Sequence, residues 1–163
     1  MKKLKIYLET TIFNFYFATD SDEKRDAALI LFDEIKQQKY EVYTSISVIR
    51  ELEQDLEPKK SKMLNLIEEY NIMVVDDSTN DNVKNLALKY VEEKIIPEKY
   101  ATDAIHIAVA SVYDLDMIIS YNFNHIVKEK TRNFTALINA TLGYKTIKIN
   151  SPLEVVEFEE NDW

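Results

Sequence analysis

"YATDAIHIAVASVYDLDMIIS" (residues 100–120) decides the fold class of this chain. Beyond Asp103 the run holds small and branched apolar residues with no Asp, Glu, Lys or Arg until Asp114, which reads as a buried helix. "LDMIIS" (115–120) follows at once as a strand. A helix this apolar, leading straight into a strand of the same character, predicts a sheet covered on both faces. Outward from it the alternation continues. "LKIYLE" (4–9) is a strand, with a helix beginning near Thr11, and residues 22–38 repeat Ala28, Leu29, Leu31, Phe32 and Ile35 at helical spacing. "YEVYTS" (40–45) is a strand, "SVIRELEQDL" (47–56) a helix, and "PKKSKMLNLIEEY" (58–70) a helix that opens on proline. "NIMVVDD" (71–77) is a third strand, and "NDNVKNLALKYVEEKI" (80–95) a helix stopped by Pro97. "RNFTALINATL" (132–142) is a helix ending at Gly143, and "KTIKI" (145–149) the last strand. Strands alternating with helices predict an α/β fold on a parallel sheet, with ligands gathering beyond the carboxyl ends of the strands.

The 163 residues, 46% of them hydrophobic, suit one domain over 1–163 with a proper core. With a single glycine, most turns fall to Asn, Asp, Lys and Pro, and neither a phosphate-binding loop nor a dinucleotide-binding turn can be built. The absence of cysteine excludes disulfides and thiolate zinc, and two histidines at unrelated spacing speak against a histidine-rich metal centre. Lys5 and Glu9 interrupt the N-terminal apolar stretch before it can serve as a signal peptide, and no run reaches the length of a membrane span, so a cytoplasmic protein is expected. A net charge of −9 opposes generic, charge-driven nucleic-acid binding. More than half of that charge lies in "LEVVEFEENDW" (153–163), five acids and no base, which reads as a solvated acidic tail. "PKKSK" (58–62) and "KEKTR" (128–132) read as ordinary surface lysines.

Three acids stand near helix starts at the expected rim. Glu9 ends the first strand, with Thr10 or Thr11 placed to cap the next helix; Glu51 lies one turn into the helix after the second strand; Asp103 opens the buried helix, with Thr102 as a candidate cap. Singly, each reads as a helix-start or surface charge. Gathered in one crevice, they would raise one another's pKa values and weaken the fold unless a cation joined them, and all-oxygen donors suit Mg²⁺ or Mn²⁺.

"IYLETTIFNFYFA" (6–18), "SVIREL" (47–52), "IIPEKYATDAIHIAVA" (95–110) and "DMIISYNFNHIV" (116–127) resemble the PIN domain family, especially its branch related to VapC-type toxins. The resemblance spans nearly the whole chain, and "DAIHIAVA" together with "SYNFNHIV" is its most specific part. It implies a three-layer α/β/α sandwich around a central parallel sheet and a Mg²⁺- or Mn²⁺-dependent ribonuclease. By it, Glu9, Glu51 and Asp103 hold the metal and Asn122 takes the fourth catalytic position. Thr10, Thr11, Asp116 and Ser120 support the site, Ser120 by orienting it through a hydrogen bond. Two residues depart from the pattern. Glu9 is a methylene longer than the usual aspartate, and Asn122 brings a neutral oxygen where an aspartate is common, which favours one metal over two. Products with 5′-phosphate and 3′-hydroxyl ends, an antitoxin partner and a homodimer are further implications.

Other readings compete with this one. A PIN scaffold that binds RNA or a protein without useful cleavage is favoured by Glu9, Asn122 and the acidic balance. A phospho-receiver domain draws only on "VVDD" (74–77) and lacks the acidic pair that such a fold needs after its first strand. His106 and His125 read as structural residues, although His106, three residues beyond Asp103, is placed to partner the site. "IFNFYF" (12–17) reads as a core or dimer-contact stripe rather than a base-stacking platform.

Overall fold

The computed structural model describes residues 2–158. In chain order the elements are β1 (Leu4–Leu8), α1 (Thr10–Tyr16), α2 (Asp22–Lys36), β2 (Tyr40–Ser45), α3 (Ile46–Leu52), α4 (Lys59–Glu69), β3 (Met73–Val75), α5 (Asp81–Glu92), a 3₁₀ turn (Glu98–Tyr100), α6 (Ala101–Val112), β4 (Met117–Ile119), α7 (Glu129–Leu142), β5 (Lys148–Asn150) and α8 (Pro152–Val155). All four strand pairings are parallel, and the sheet order is β3-β2-β1-β4-β5. The chain thus winds outward from β1 in one direction and resumes on its other side with β4. The gap between these two strands is the topological switch point, where a crevice opens beyond the carboxyl ends.

Successive strand residues face opposite sides of a sheet. Ile6, Tyr7 and Leu8 are consecutive and all fully inaccessible, as are Ile118 and Ile119 of β4, so helices cover both faces and the three-layer α/β/α arrangement follows. On one side α6 packs with α5, and α5 with α7; elsewhere α1 and α8 pack on α2. Helix α6 carries Ala104, Ile107, Ala108, Val109 and Ala110 at zero exposure, the buried helix that its composition predicts.

Helix ends differ from the expected bounds in an instructive way. Helix α3 stops at Leu52 and α5 at Glu92, short of Pro97, whereas α7 starts at Glu129, three residues early. One residue past the cap of α2, α4, α5 and α6 stand Gln38, Asn71, Lys94 and Asp114, each at positive φ, and Gly143 (φ 84°) closes α7. A left-handed residue after a helix is the usual way to turn the chain and satisfy the last carbonyls. Here four non-glycine residues take that role. The acidic stretch from residue 153 is not wholly a solvated tail. Ser151 makes a capping box with Glu154 at the start of α8, Pro152 and Val156 are buried, and the Glu157 N–H donates to Glu34. Residues 159–163 of that stretch lie outside the described residues.

Candidate functional site

Strand β1 runs directly into the crevice. The Glu9 N–H donates to the Ile119 carbonyl (3.1 Å), extending the β1–β4 ladder by one rung, and the Thr44 hydroxyl donates to the Leu8 carbonyl (3.0 Å) from β2. Glu9 is consequently fixed at the mouth of the switch point and is only 2% exposed. Its Oε1 accepts the Thr11 hydroxyl (2.6 Å) and the Ser120 hydroxyl (2.5 Å), the latter from the residue just beyond β4. Burial pushes the Glu9 carboxyl above its ordinary pKa and the charge of Glu51 adds to the rise, while His106 and the two hydroxyls hold it back. Thr10 and Thr11 do not cap α1, whose N-terminus has no side-chain cap. Their hydroxyls are turned to the acids instead, Thr11 to Glu9 and Thr10 to Glu51 Oε1 (3.0 Å).

Glu51 is set by α3, whose start is fixed from two strands. Ser45 caps it by accepting the Val48 N–H (3.2 Å), and Asp77 beyond β3 accepts the Ser47 N–H (3.2 Å) and hydroxyl (2.5 Å). Asp77 therefore anchors a helix, and Asp76 accepts the Ser78 N–H and hydroxyl, which leaves no receiver-like acidic pair. His106, fully buried on α6, brings Nε2 to 2.5 Å from Glu51 Oε1, while its Nδ1 lies 2.6 Å from the Tyr7 hydroxyl. That hydroxyl is also 2.7 Å from Ser45 Oγ. For Glu51, burial alone would raise the pKa, but the His106 hydrogen bond and charge, with Thr10, bring it below its ordinary value. For His106, burial opposes the charged ring, yet Glu51, Glu9 and Asp103 together raise its pKa. The raised pKa of His106 and the lowered pKa of Glu51 both favour the charged form of this pair.

Asp103 lies in the first turn of α6, which begins at Ala101 behind Tyr100, so Thr102 is inside the helix and caps nothing. Burial raises the Asp103 pKa and Glu51 adds to it, whereas Asn122, His106 and His125 lower it. Its Oδ2 lies 3.3 Å from His125 Nδ1, and the His125 ring stacks on Tyr100 with centroids 4.2 Å apart. Asn122 ties this corner to the first. Its N–H donates to Ser120 Oγ (2.9 Å), and its Oδ1 accepts the His125 N–H (3.0 Å).

Glu9, Glu51, Asp103, Asn122, Thr10, Thr11 and Ser120 thus meet in one crevice at the carboxyl ends of β1 and β4, joined through His106 and Ser120. Asp116 does not. It precedes β4, at the opposite end of the sheet, where its carboxylate accepts the Lys5 N–H (2.7 Å) and pairs with Lys145 (2.9 Å). The Lys5 N–H and then Lys145 hold its pKa below the ordinary value, and its role is to fasten β4 to β1. A strand of only three residues separates Asp116 from Ser120; the resemblance gave both a supporting role, and they stand at opposite ends of β4.

The donors fit a hard cation in kind: they are carboxylate oxygens, and burial first, with the charge of Glu51 adding to it, raises the pKa of Glu9 and of Asp103. They are not drawn into a closed ligand set, because among the described residues no three His, Asp or Glu side chains are grouped to hold one ion. Glu9 Oε1 is taken by two hydroxyls and Glu51 Oε1 by Thr10 and His106, so one oxygen of each acid already has its partners. Sequence reasoning placed His106 near the site but missed its two-sided contact, and it missed Tyr7 and Ser45 altogether. A polar hydroxyl inside the apolar "KIYL" (5–8) was the available signal.

No protein-family model matches this chain, and no curated protein matches it. A solved structure does: a chain from the crystal structure of VapBC2 from Rickettsia felis, bound to a DNA fragment from their promoter. The likeness has a TM-score of 0.51 at 11% identity and covers 91% of this chain and 98% of that one. At such identity it speaks for the fold alone. The parallel, helix-covered sheet fits the PIN-like architecture that the resemblance in the sequence implies.

Proposed function

We propose that this chain is a divalent-metal-dependent ribonuclease that hydrolyses RNA phosphodiester bonds, built on the scaffold of a toxin. The observation that carries the reading is the meeting of Glu9, Glu51, Asp103 and Asn122 at the switch point between β1 and β4. Asp103, Glu51 and Glu9 are the residues that would hold Mg²⁺ or Mn²⁺. The ion supplies Lewis acidity, lowering the pKa of water and offsetting charge that grows on the phosphoryl oxygens. The chain's own residues set the geometry. Ser120 and Thr11 fix the Glu9 carboxylate, His106 and Thr10 fix Glu51, and Asn122 holds the loop after β4 against Asp103. The hydroxyls of Thr10, Thr11 and Ser120 are engaged in fixing the carboxylates, and water is taken as the attacking group. The neutral Asn122 favours one ion over two.

The partner proposed with it is an antitoxin. VapBC2 is a two-component complex, and an acidic crevice accepts an inserted Arg or Lys through charge-assisted hydrogen bonds. A homodimer is carried as the accompanying assembly. The purified chain, incubated with single-stranded RNA, is expected to cleave in Mg²⁺ or Mn²⁺ and not in EDTA. Asp103→Asn is expected to reduce cleavage by about a hundredfold or more, the scale of losing one electrostatic stabiliser, with the far-UV spectrum unchanged. Equal activity in the variant would remove Asp103 from the mechanism.

A second reading has its own observation. His106 already occupies Glu51 Oε1, and no closed ligand set is formed among the described residues. Those features suit a PIN scaffold that binds RNA or a protein without cleaving. Absence of cleavage in both metals, with partner binding intact, selects that reading.

A further inference from the structure

A groove of about 480 Å³ opens beside the acids, and its lining includes Asp103, Asn122 and His125 together with Lys24, Tyr100 and Phe123. Of its aromatic residues Tyr121 belongs to the core, whereas Phe123 is 41% exposed and Tyr100 42%. Each is paired with a lysine. The Lys24 ammonium lies 5.3 Å from the Phe123 ring centroid, and the Lys99 ammonium 5.8 Å from that of Tyr100. Lys24 also lies over Phe15 and Tyr121, and the Tyr121 hydroxyl donates to the Lys24 carbonyl (2.8 Å), so both ends of this lysine are held, in part by a ring that itself lines the groove. Past His125, which lines both spaces, a second cavity of about 630 Å³ carries Lys94, Lys128 and Lys130. Rings and ammonium groups therefore follow one another along a track that passes Asp103.

We propose that this groove is a binding track for single-stranded RNA, in which Phe123 stacks an unpaired base and Lys24 meets the adjoining phosphate. The inference rests on the ribonuclease reading for its placement beside the acids. Three features commit it to this occupant. Exposed rings beside cations are what a sequence-tolerant single-strand site needs, since every base has a π-face and every linkage a charge. A duplex offers no free base face to Phe123. In a chain of net charge −9, lysines held against rings on the rim of an acidic crevice oppose the overall field where a phosphate chain would have to enter.

The test uses the full chain in EDTA, where hydrolysis is off. A fluorescein-labelled oligo(U) of about twelve nucleotides, within the usual span of single-strand sites, is the probe, with the same strand annealed to oligo(A) as the duplex control. By anisotropy at low salt, Phe123→Ala is expected to weaken single-strand binding about tenfold, while Phe123→Tyr stays within about twofold of the parent. Lys24→Gln is expected to lower the slope of log affinity against log salt by about 0.7, one phosphate on a single strand. Parental affinity in both Phe123→Ala and Lys24→Gln overturns the proposal, as does equal loss in Phe123→Tyr and Phe123→Ala. Binding of the duplex as tightly as the single strand overturns it, as does a parent chain that binds neither RNA and binds only a protein partner. Repeating the assay in Mg²⁺ separates the two readings. Phe123-dependent binding without cleavage keeps the track and discards the nuclease, whereas cleavage with a KM untouched by Phe123→Ala keeps the nuclease and discards the track.

Discussion

Glu9 is the residue on which the electrostatics of this molecule turn. Its carboxyl is buried and its pKa raised, so ionising it in the fold costs free energy that the unfolded chain does not spend. Glu9→Gln keeps an oxygen for the Ser120 and Thr11 hydroxyls and removes the charge. It is expected to raise the melting temperature in EDTA by a few degrees and to reduce the further rise produced by Mg²⁺, both read by calorimetry. His106 gives the opposite lesson about pH. Its pKa is raised in the fold, so its contribution is fully present below the ordinary histidine value of about 6.5 and is lost as the pH climbs through the folded value. Urea denaturation in EDTA should therefore show stability falling as the pH rises above that value, and His106→Gln should flatten the fall. Tyr7→Phe probes the same chain of contacts from the other side. Leaving Ser45 Oγ and His106 Nδ1 without the buried hydroxyl between them is expected to cost about 1–3 kcal/mol.

At the scale of elements, the alternation of strands and helices was readable because the central strands and α6 are buried on every side, so that apolar runs such as "DMIIS" have one physical meaning. The ends of helices were less readable. A chain with one glycine must place Gln38, Asn71, Lys94 and Asp114 in the left-handed region, and none of these announces a helix end as glycine does. Gln38→Gly is expected to stabilise the fold by about 0.5–1 kcal/mol by relieving that conformation, and Gly143→Ala to destabilise it by about 1 kcal/mol although its Cβ would meet no neighbour. Both are measurable by equilibrium unfolding. The candidate site was legible as a set of acids because strand ends in a parallel sheet share one rim. What was not legible is the partner of an acid that precedes its strand, hence Asp116, which Lys5 and Lys145 engage at the other end of the sheet. The fate of each threonine also depends on acids brought from elsewhere in the chain, hence Thr10 and Thr11, which serve Glu51 and Glu9 rather than a helix.

For the molecule as a whole, the acidic rim makes cation binding and stability one measurement. If Mg²⁺ or Mn²⁺ binds the native state alone, it stabilises by about 2.7 kcal/mol at a concentration one hundred times the dissociation constant, and a thermal shift series should show this. The Asp103→Asn variant should lose most of it. The sheet order adds a consequence in time. Strand β1 is made first and β4 more than a hundred residues later, yet Glu9 takes its place only against Ile119 and Ser120. A polypeptide still emerging from the ribosome carries Glu9 and Glu51 without Ser120 and Asn122, so the crevice is complete only once the last third has been translated. On the ribonuclease reading proposed above, the chain would be unable to cleave the message that encodes it for most of the time that it is being made.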